Sequence, residues 1–350
     1  MYEQIHSFID SLLNVETYNL PAFSCCNIDC CNIDCCNIDI DLVYSKVISS
    51  KFRKTKLSID TEDDVRNKIK KCVIKKCPLQ FSVPFGAYKA WRLGIGFRPD
   101  WAEAFNLSYL LKYAANILQV YPYGVDFTFS FTNKLMYFVS DIPKEEAQKY
   151  VDDFKRLLEL FNCITDKVRF AIVEINSLYN SEEDFYIDFM KHFLDNLVFW
   201  DEKYDDETRN RHLNSAKHNL YLNGERKTSS QEIEIQQKYF YYSALMTDAV
   251  DCLRERRKFN KEQEKIQLIA VRGPSKSINI GGCETSAVHF WVSRGVITLK
   301  NGKIRPYLYT KSNLEKLYSS ENLKEIKIDS VFETINSNYK KILFIGGQNE

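Results

Sequence analysis

The stretch from Pro99 to Phe131 constrains the fold most, because it writes a helix, a break and a strand in succession. Pro99-Asp100-Trp101-Ala102-Glu103 leads into a run in which Ala102, Phe105, Tyr109, Tyr113 and Ile117 recur every three or four residues. That spacing places apolar side chains on one face of a helix. Tyr121-Pro122-Tyr123-Gly124 interrupts the run, and Val125 to Phe131 then alternates with period two, the pattern of a half-buried strand. A helix of this quality beside strand-type sequence has to bury its stripe against a sheet.

The rest of the chain repeats the alternation without strict βαβ regularity. Residues 60 to 75 read as a polar helix with acidic residues in its first turn and lysines in its last, as the helix dipole prefers. After Pro78 the segment LQFSV has strand character and runs into a loop from Pro84 to Lys89. Thr132-Asn133-Lys134 reads as a turn into a second strand, Leu135 to Val139, forming a hairpin. Pro143 opens a helix carrying Ala147, Tyr150, Phe154, Leu157, Leu158 and Phe161 on one face, and Val168 to Ile175 reads as an inner strand. Residues 181 to 265 are helical and polar. Strand signals return at Ile266 to Val271, at Ala287 to Ser293 paired with Val296 to Leu299 around Arg294-Gly295, and at Ile342 to Ile345. The expected fold is α/β (or α+β): a single large three-layer domain with a mixed β-sheet flanked by helices, Rossmann-like. Residues 1–50 are read as an N-terminal segment with a repeat loop, and residues 51–350 as the catalytic α/β domain.

Within the N-terminal segment, Cys25 to Asp39 spells CCNID three times and holds six of the eleven cysteines. A five-residue period fits neither helix nor strand. Paired thiols beside Asp suit a soft metal, but an in-frame duplication in a tolerant surface loop is the reading adopted, so no metal site is assigned. Cys72, Cys77, Cys163, Cys252 and Cys283 form no CxxC pair, which fits a reducing, cytoplasmic location. No apolar run is long enough for a membrane helix and the N-terminus lacks signal-peptide features. With 48 Lys and Arg against 47 Asp and Glu the net charge is +1, which argues against unspecific nucleic-acid binding.

Phosphate-loop, nucleophile-elbow and zinc-protease motifs are all missing from the sequence. What remains is an ordered set: Pro84 followed five residues later by Lys89, then Pro-Asp-Trp-Ala-Glu at 99 to 103, then Tyr-Pro-Tyr-Gly-Val at 121 to 125 before a strand. In this order the chain, over about residues 77 to 160, resembles the isocyanide (isonitrile) synthases of the pyoverdine and dityrosine biosynthesis family. It resembles a divergent member. Phe131-Thr132-Asn133 stands where the family carries Ser-Asp-Gly, and Phe290 to Gly295 only approximates the family's Thr-Pro-Trp-His-Gly.

The resemblance implies an enzyme of specialised metabolism that converts an amino acid's α-amine to an isonitrile, taking the carbon from a keto sugar phosphate such as ribulose 5-phosphate. It calls for no metal and no organic cofactor, and it implies a downstream oxygenase in the same pathway. The amine must be neutral to attack a ketone, so a base has to take its proton, and cations have to hold the phosphate. Glu103, Lys89 and Asp100 are the catalytic candidates, with Glu103 as base and Lys89 on the phosphate or the carbonyl. Arg98, Arg272, Lys276 and Arg294 are the anion-binding candidates.

Each assignment has a plainer counterpart. Asp100 and Glu103 also form a capping box ahead of an apolar helix. Lys89 also reads as a solvated loop lysine, and Arg272 to Ser277 as a surface turn. Tyr239-Phe240-Tyr241-Tyr242 reads as an aromatic pocket wall or as core plus one exposed Tyr. A noncatalytic binding or host-interaction protein on an enzyme-like fold, or a transferase using another phosphorylated small molecule, is the alternative function.

Overall fold

A computed structural model describes residues 2–21, 38–87, 98–132, 134, 136–137, 140–219, 232–254, 265–270, 276–318 and 323–346. The expected α/β class is found, with its strands divided between two sheets. The first consists of β1 (Leu79–Pro84), β2 (Val125–Phe131), β3 (Val168–Glu174), β4 (Ile266–Ile269) and β5 (Ser277–Asn279), in the order β3-β2-β1-β4-β5. All four pairings in it are parallel. The second contains β6 (Arg294–Lys300), β7 (Lys303–Tyr309), β8 (Leu323–Lys327) and β9 (Lys341–Ile345), in the order β7-β6-β9-β8, with β6 and β9 parallel and the other pairs antiparallel.

Helices α1 (Tyr2–Ser11), α2 (Ile40–Val47) and α3 (Ile59–Lys75) precede the first sheet. The crossover from β1 to β2 is α4 (Trp101–Leu118), and that from β2 to β3 is α5 (Lys144–Asn162). Among the described residues three helices, α6 (Glu182–Lys203), α7 (Asp206–Asn219) and α8 (Glu232–Arg254), lie between β3 and β4, and α9 (Lys311–Tyr318) follows β7.

Helix α4 is the hub. Apart from Lys112 and Asn116, every one of its residues is buried, so the stripe read from the sequence understates a helix packed on all sides. One side rests on an aromatic row: Phe81, Phe127 and Phe170 stand in register across β1, β2 and β3, and Phe81 meets Tyr113 edge-on at 5.6 Å. Along the row the ring centroids are 5.4 and 5.3 Å apart and the rings stack, within the favourable range for aromatic pairs. Polar contacts lock the remaining sides. Tyr113 donates to the Val47 carbonyl at 2.7 Å, the Tyr109 hydroxyl lies 3.2 and 3.0 Å from the Phe52 and Ile280 carbonyls, and Tyr18 meets the Ser108 hydroxyl at 3.1 Å. Ile5, Ile9, Leu12 and Tyr18 belong to the same core as the sheet residues.

Three local readings are corrected. No β2 hairpin exists among the described residues: Lys134, Met136 and Tyr137 are helical, and both edges of β2 are taken by parallel neighbours. β3 is an edge strand rather than an inner one. The hairpin partner of β6 is β7, not 287–293, which instead holds a short 3-10 turn (Phe290–Val292). The overlooked signal was Asn301-Gly302. Both residues have positive φ, 51° and 70°, as a two-residue hairpin turn matching strand twist requires.

The CCNID repeat falls largely outside the described residues, but its last two residues do not. Asp39 caps α2, its Oδ1 accepting from Asp41 N at 2.9 Å and Leu42 N at 3.2 Å, and Ile38 packs on the core. The end of the third copy therefore carries a structural load. Deleting Cys25 to Asp34 is expected to leave the melting temperature within about 2 °C of the parent, whereas Asp39→Ala should cost about 1 kcal/mol; thermal melts of the two variants check this.

Candidate functional site

A parallel sheet ordered β3-β2-β1-β4-β5 reverses direction of growth between β1 and β4, and α/β proteins bind ligands beyond the carboxyl ends of the strands at such a point. A crevice lies there. Val83 and Pro84 from the end of β1, Leu268 to Ala270 from the end of β4, and Ile280 and Gly281 beyond β5 form its floor. Asn106 and Leu110 of α4, with Phe290 and Trp291, close it. The closed space is about 10 Å³, room for one water.

Asn106 is the polar side chain of this apolar lining. It is 4% exposed, its Nδ2 donates to the Gly282 carbonyl at 2.6 Å, and its Oδ1 meets no donor among the described residues. Glycines shape the wall opposite. A Cβ on Gly282 would stand 1.8 Å from the Val288 carbonyl oxygen, and Gly281 has φ +78°.

One turn before Asn106, the N-terminus of α4 is buried together with two carboxylates. Asp100 Oδ1 accepts from Ala102 N at 2.8 Å, and Glu103 Oε2 accepts from Asp100 N at 2.8 Å. This is the capping box that the sequence offered as one of two readings. Glu103 is fully buried, and its Oε1 accepts from the Tyr150 hydroxyl at 2.6 Å. Burial, reinforced by the negative charge of Glu103, pushes the Tyr150 hydroxyl well above the ordinary tyrosine range, so it stays a donor. Tyr339 is raised in the same way, by burial first and then by Glu103 and Asp100.

Cations surround this knot without entering the crevice. Arg98 pairs with Asp153 at 2.5 Å, and Asp153 also accepts from Asn336 Nδ2 at 3.0 Å. Arg294 Nε lies 3.9 Å from Asp100 Oδ2, and the next residue, Gly295, points its N–H at Asp100 Oδ1 from 3.4 Å. Thus Asp100, Glu103, Arg98 and Arg294 gather around one helix end. Lys276 does not join them: it is exposed at the amino end of β5, with its N–H on Thr61 Oγ1 at 3.1 Å. Lys89 and Arg272 lie outside the described residues.

Tyr150 and Asn106 were not singled out as functional in the sequence. Tyr150 reads as one apolar member of a helical stripe, and nothing local announces its hydroxyl. Asn106 does leave a trace, as a polar residue inside the apolar run around Phe105 and Leu107. Tyr239 and Phe240 are buried with Trp200 in a satellite core while Tyr241 and Tyr242 are exposed, so the motif is half core and half surface, with two exposed tyrosines where one was expected. Among the described residues no cluster of His, Cys, Asp or Glu could hold a metal ion, and no helix is long and apolar enough to cross a membrane.

No family model matches the chain, and no curated protein matches its sequence. Among solved structures, the chain is similar to the PvcA protein from Pseudomonas aeruginosa, with a TM-score of 0.59 and 12% identity over 87% of this chain and 99% of that one. This likeness shows a shared fold. A CDPS from Fluoribacter dumoffii has a TM-score of 0.31 at 16% identity, covering 58% of this chain and 82% of its own. Tyrosyl-tRNA synthetase from Leishmania major, in complex with tyrosinol, also has a TM-score of 0.31, at 12% identity over 82% of this chain and 47% of its own.

Two substitutions test the buried knot. Tyr150→Phe strips a hydrogen bond from a buried carboxylate and is expected to cost about 2 kcal/mol. Gly295→Ala puts a Cβ 2.5 Å from the backbone of Trp101 and Ala102 and is expected to cost about 3 kcal/mol, near the top of the overpacking range. Urea unfolding of both variants measures these losses.

Proposed function

We propose that the chain is an isonitrile synthase-like enzyme that condenses an amino acid α-amine with a keto sugar phosphate of the ribulose 5-phosphate type. The observation that carries this reading is a coincidence of two kinds of evidence. The motif order Pro84…Lys89, 99 to 103 and 121 to 125 resembles that family, and the fold follows the PvcA protein over nearly its whole length. Of the motif residues that are described, Pro84 lines the crevice and Glu103 stands one helical turn before Asn106, whereas 121 to 125 lead into the amino end of β2.

In this reading, Asn106 Oδ1 orients a donor on the substrate, such as its amine, at the end of β1. Lys89 and Arg272, which in sequence follow β1 by five residues and β4 by three, supply positive charge for the phosphate. Asp100 and Arg294 hold the helix end. Glu103 takes the amine's proton if substrate binding exposes it; otherwise it is the cap alone.

That second possibility supports the alternative reading of a noncatalytic binding protein. Glu103 is fully buried with both oxygens accepting hydrogen bonds, and Thr132 stands where the resemblance calls for Asp. Both observations fit a retired site.

Mass spectrometry of purified protein incubated with an amino-acid panel and isotopically labelled ribulose 5-phosphate separates the two. The enzyme reading expects a labelled isonitrile from at least one amino acid. No labelled product across the panel would leave the binding-protein reading in place. Where turnover is seen, Glu103→Gln should lower it roughly 100-fold if the carboxylate is the base, and leave it nearly intact if Glu103 only caps.

A further inference from the structure

The helices inserted between β3 and β4 build a small core of their own around Trp200, Tyr239 and Phe240, with Leu213 of α7 packed against it, apart from the core of the two sheets. One face of α6 is turned inward. Phe185, Phe189, His192 and Trp200 are its buried residues, and the rings of Phe189 and Phe193 hold Tyr241 of α8 with centroids 5.9 and 5.4 Å apart. The outward face is apolar as well. Ile187, Met190, Leu194 and Val198 recur every three or four residues and so share one stripe, and they are 61, 46, 55 and 53% exposed. Nine of the fifteen large apolar side chains exposed among the described residues stand on α6 and α8, so the exposure is concentrated here. A contiguous apolar patch with a polar rim marks an interaction surface.

The rim is acidic. Asp184, Asp188, Asp195 and Glu202 follow one another at intervals of four, seven and seven residues, which sets them on one line along the helix beside the stripe. Glu183 and Asp201 stand at the two ends of the stripe, and Lys191 is a lone lysine on the border among these described residues. Over its whole length α6 carries seven carboxylates against two lysines.

This charge pattern selects among occupants. In an antiparallel pairing of two copies about a two-fold axis the same flank meets itself, setting the acidic line against its own image. An anionic lipid surface meets the same carboxylates with the wrong sign. A helix that carries an apolar stripe with Lys or Arg beside it matches both the stripe and the rim.

We infer that the outward face of α6 docks a basic amphipathic helix of a partner protein, its apolar residues on Ile187, Met190, Leu194 and Val198 and its cations on the acidic line. The stripe is about 16 Å long at the rise of an α-helix, so the partner contributes about three turns. A segment that short is a marginal helix alone, and it gains helicity on this surface.

Fluorescence anisotropy of the full chain is measured with two labelled peptides of about 15 residues, identical in their leucine stripe and differing only in the lysines or glutamates beside it. The lysine peptide is expected to bind the parent at least about 10-fold more tightly than the glutamate peptide, and Leu194→Gln to weaken it at least about 10-fold. Asp195→Lys should weaken the lysine peptide and improve the glutamate peptide. Both positions are exposed, circular dichroism checks that each variant is folded, and Asp195→Lys decides the case if Leu194→Gln is not. Equal affinity for the two peptides, no binding of either, or lysine-peptide binding unchanged in folded Leu194→Gln overturns the inference. Light scattering that finds a dimer dispersed by Leu194→Gln assigns the face to a second copy, and sedimentation with phosphatidylcholine vesicles lost in Leu194→Gln assigns it to lipid; each of these also overturns it.

Discussion

A helix buried on every side must find partners for the backbone N–H groups of its first turn without help from water. Helix α4 meets this demand with side chains of its own terminus: Asp100 accepts from Ala102 N–H, and Glu103 accepts from Asp100 N–H. Each solution creates a new demand, because a carboxylate carried into the core needs donors too. Glu103 is answered by Tyr150 on α5, and Asp100 by the Gly295 N–H and the nearby Arg294 at the start of β6. The helix end thereby recruits a crossover helix of the first sheet and a strand of the second.

The same end organises the second sheet sterically. Trp101 Nε1 donates to the Lys341 carbonyl at 2.8 Å, and its ring meets Phe332 and Tyr339 edge-on at 5.2 and 5.1 Å. Asn336 and Asn338 bond back to the carbonyls of Pro99 and Arg98. Gly295 allows β6 to press onto Trp101 and Ala102 where any side chain would collide. With the helix fixed at this end, Asn106 is presented one turn later at the mouth of the switch-point crevice. The carboxylates that the family resemblance nominates for chemistry are thus the groups on which the packing of both sheets rests, which is why the capping and catalytic readings converge on the same residues.

Much of this was legible in the chain because it is local. The capping residues, the apolar spacing of α4, the alternation of β2, and the helix opened by Pro143 all follow from neighbours a few positions apart. What escaped depends on distant partners. The sequence of β3 suits a strand buried on both sides, yet its place at the sheet edge follows from the order in which crossovers return. The hydroxyl of Tyr150 gains its role from a carboxylate 47 positions away. Lys265, at the end of a stretch read only as polar, donates to Thr128, 137 positions away. Asn301-Gly302 was readable and was missed, because the alternation in 287 to 293 resembled a strand more strongly than the turn resembled a turn.

Native-state hydrogen exchange tests the dependence of the whole on this helix end most directly. If the buried cap ties the two sheets together, the amides of Ala102, Glu103 and Gly295 exchange only through global unfolding, with the same opening free energy as Phe81 and Phe127 in the sheet centre. Exchange of the first turn of α4 through local openings far less costly than those of the sheet would show that the two sheets hold together without it, and would contradict the account.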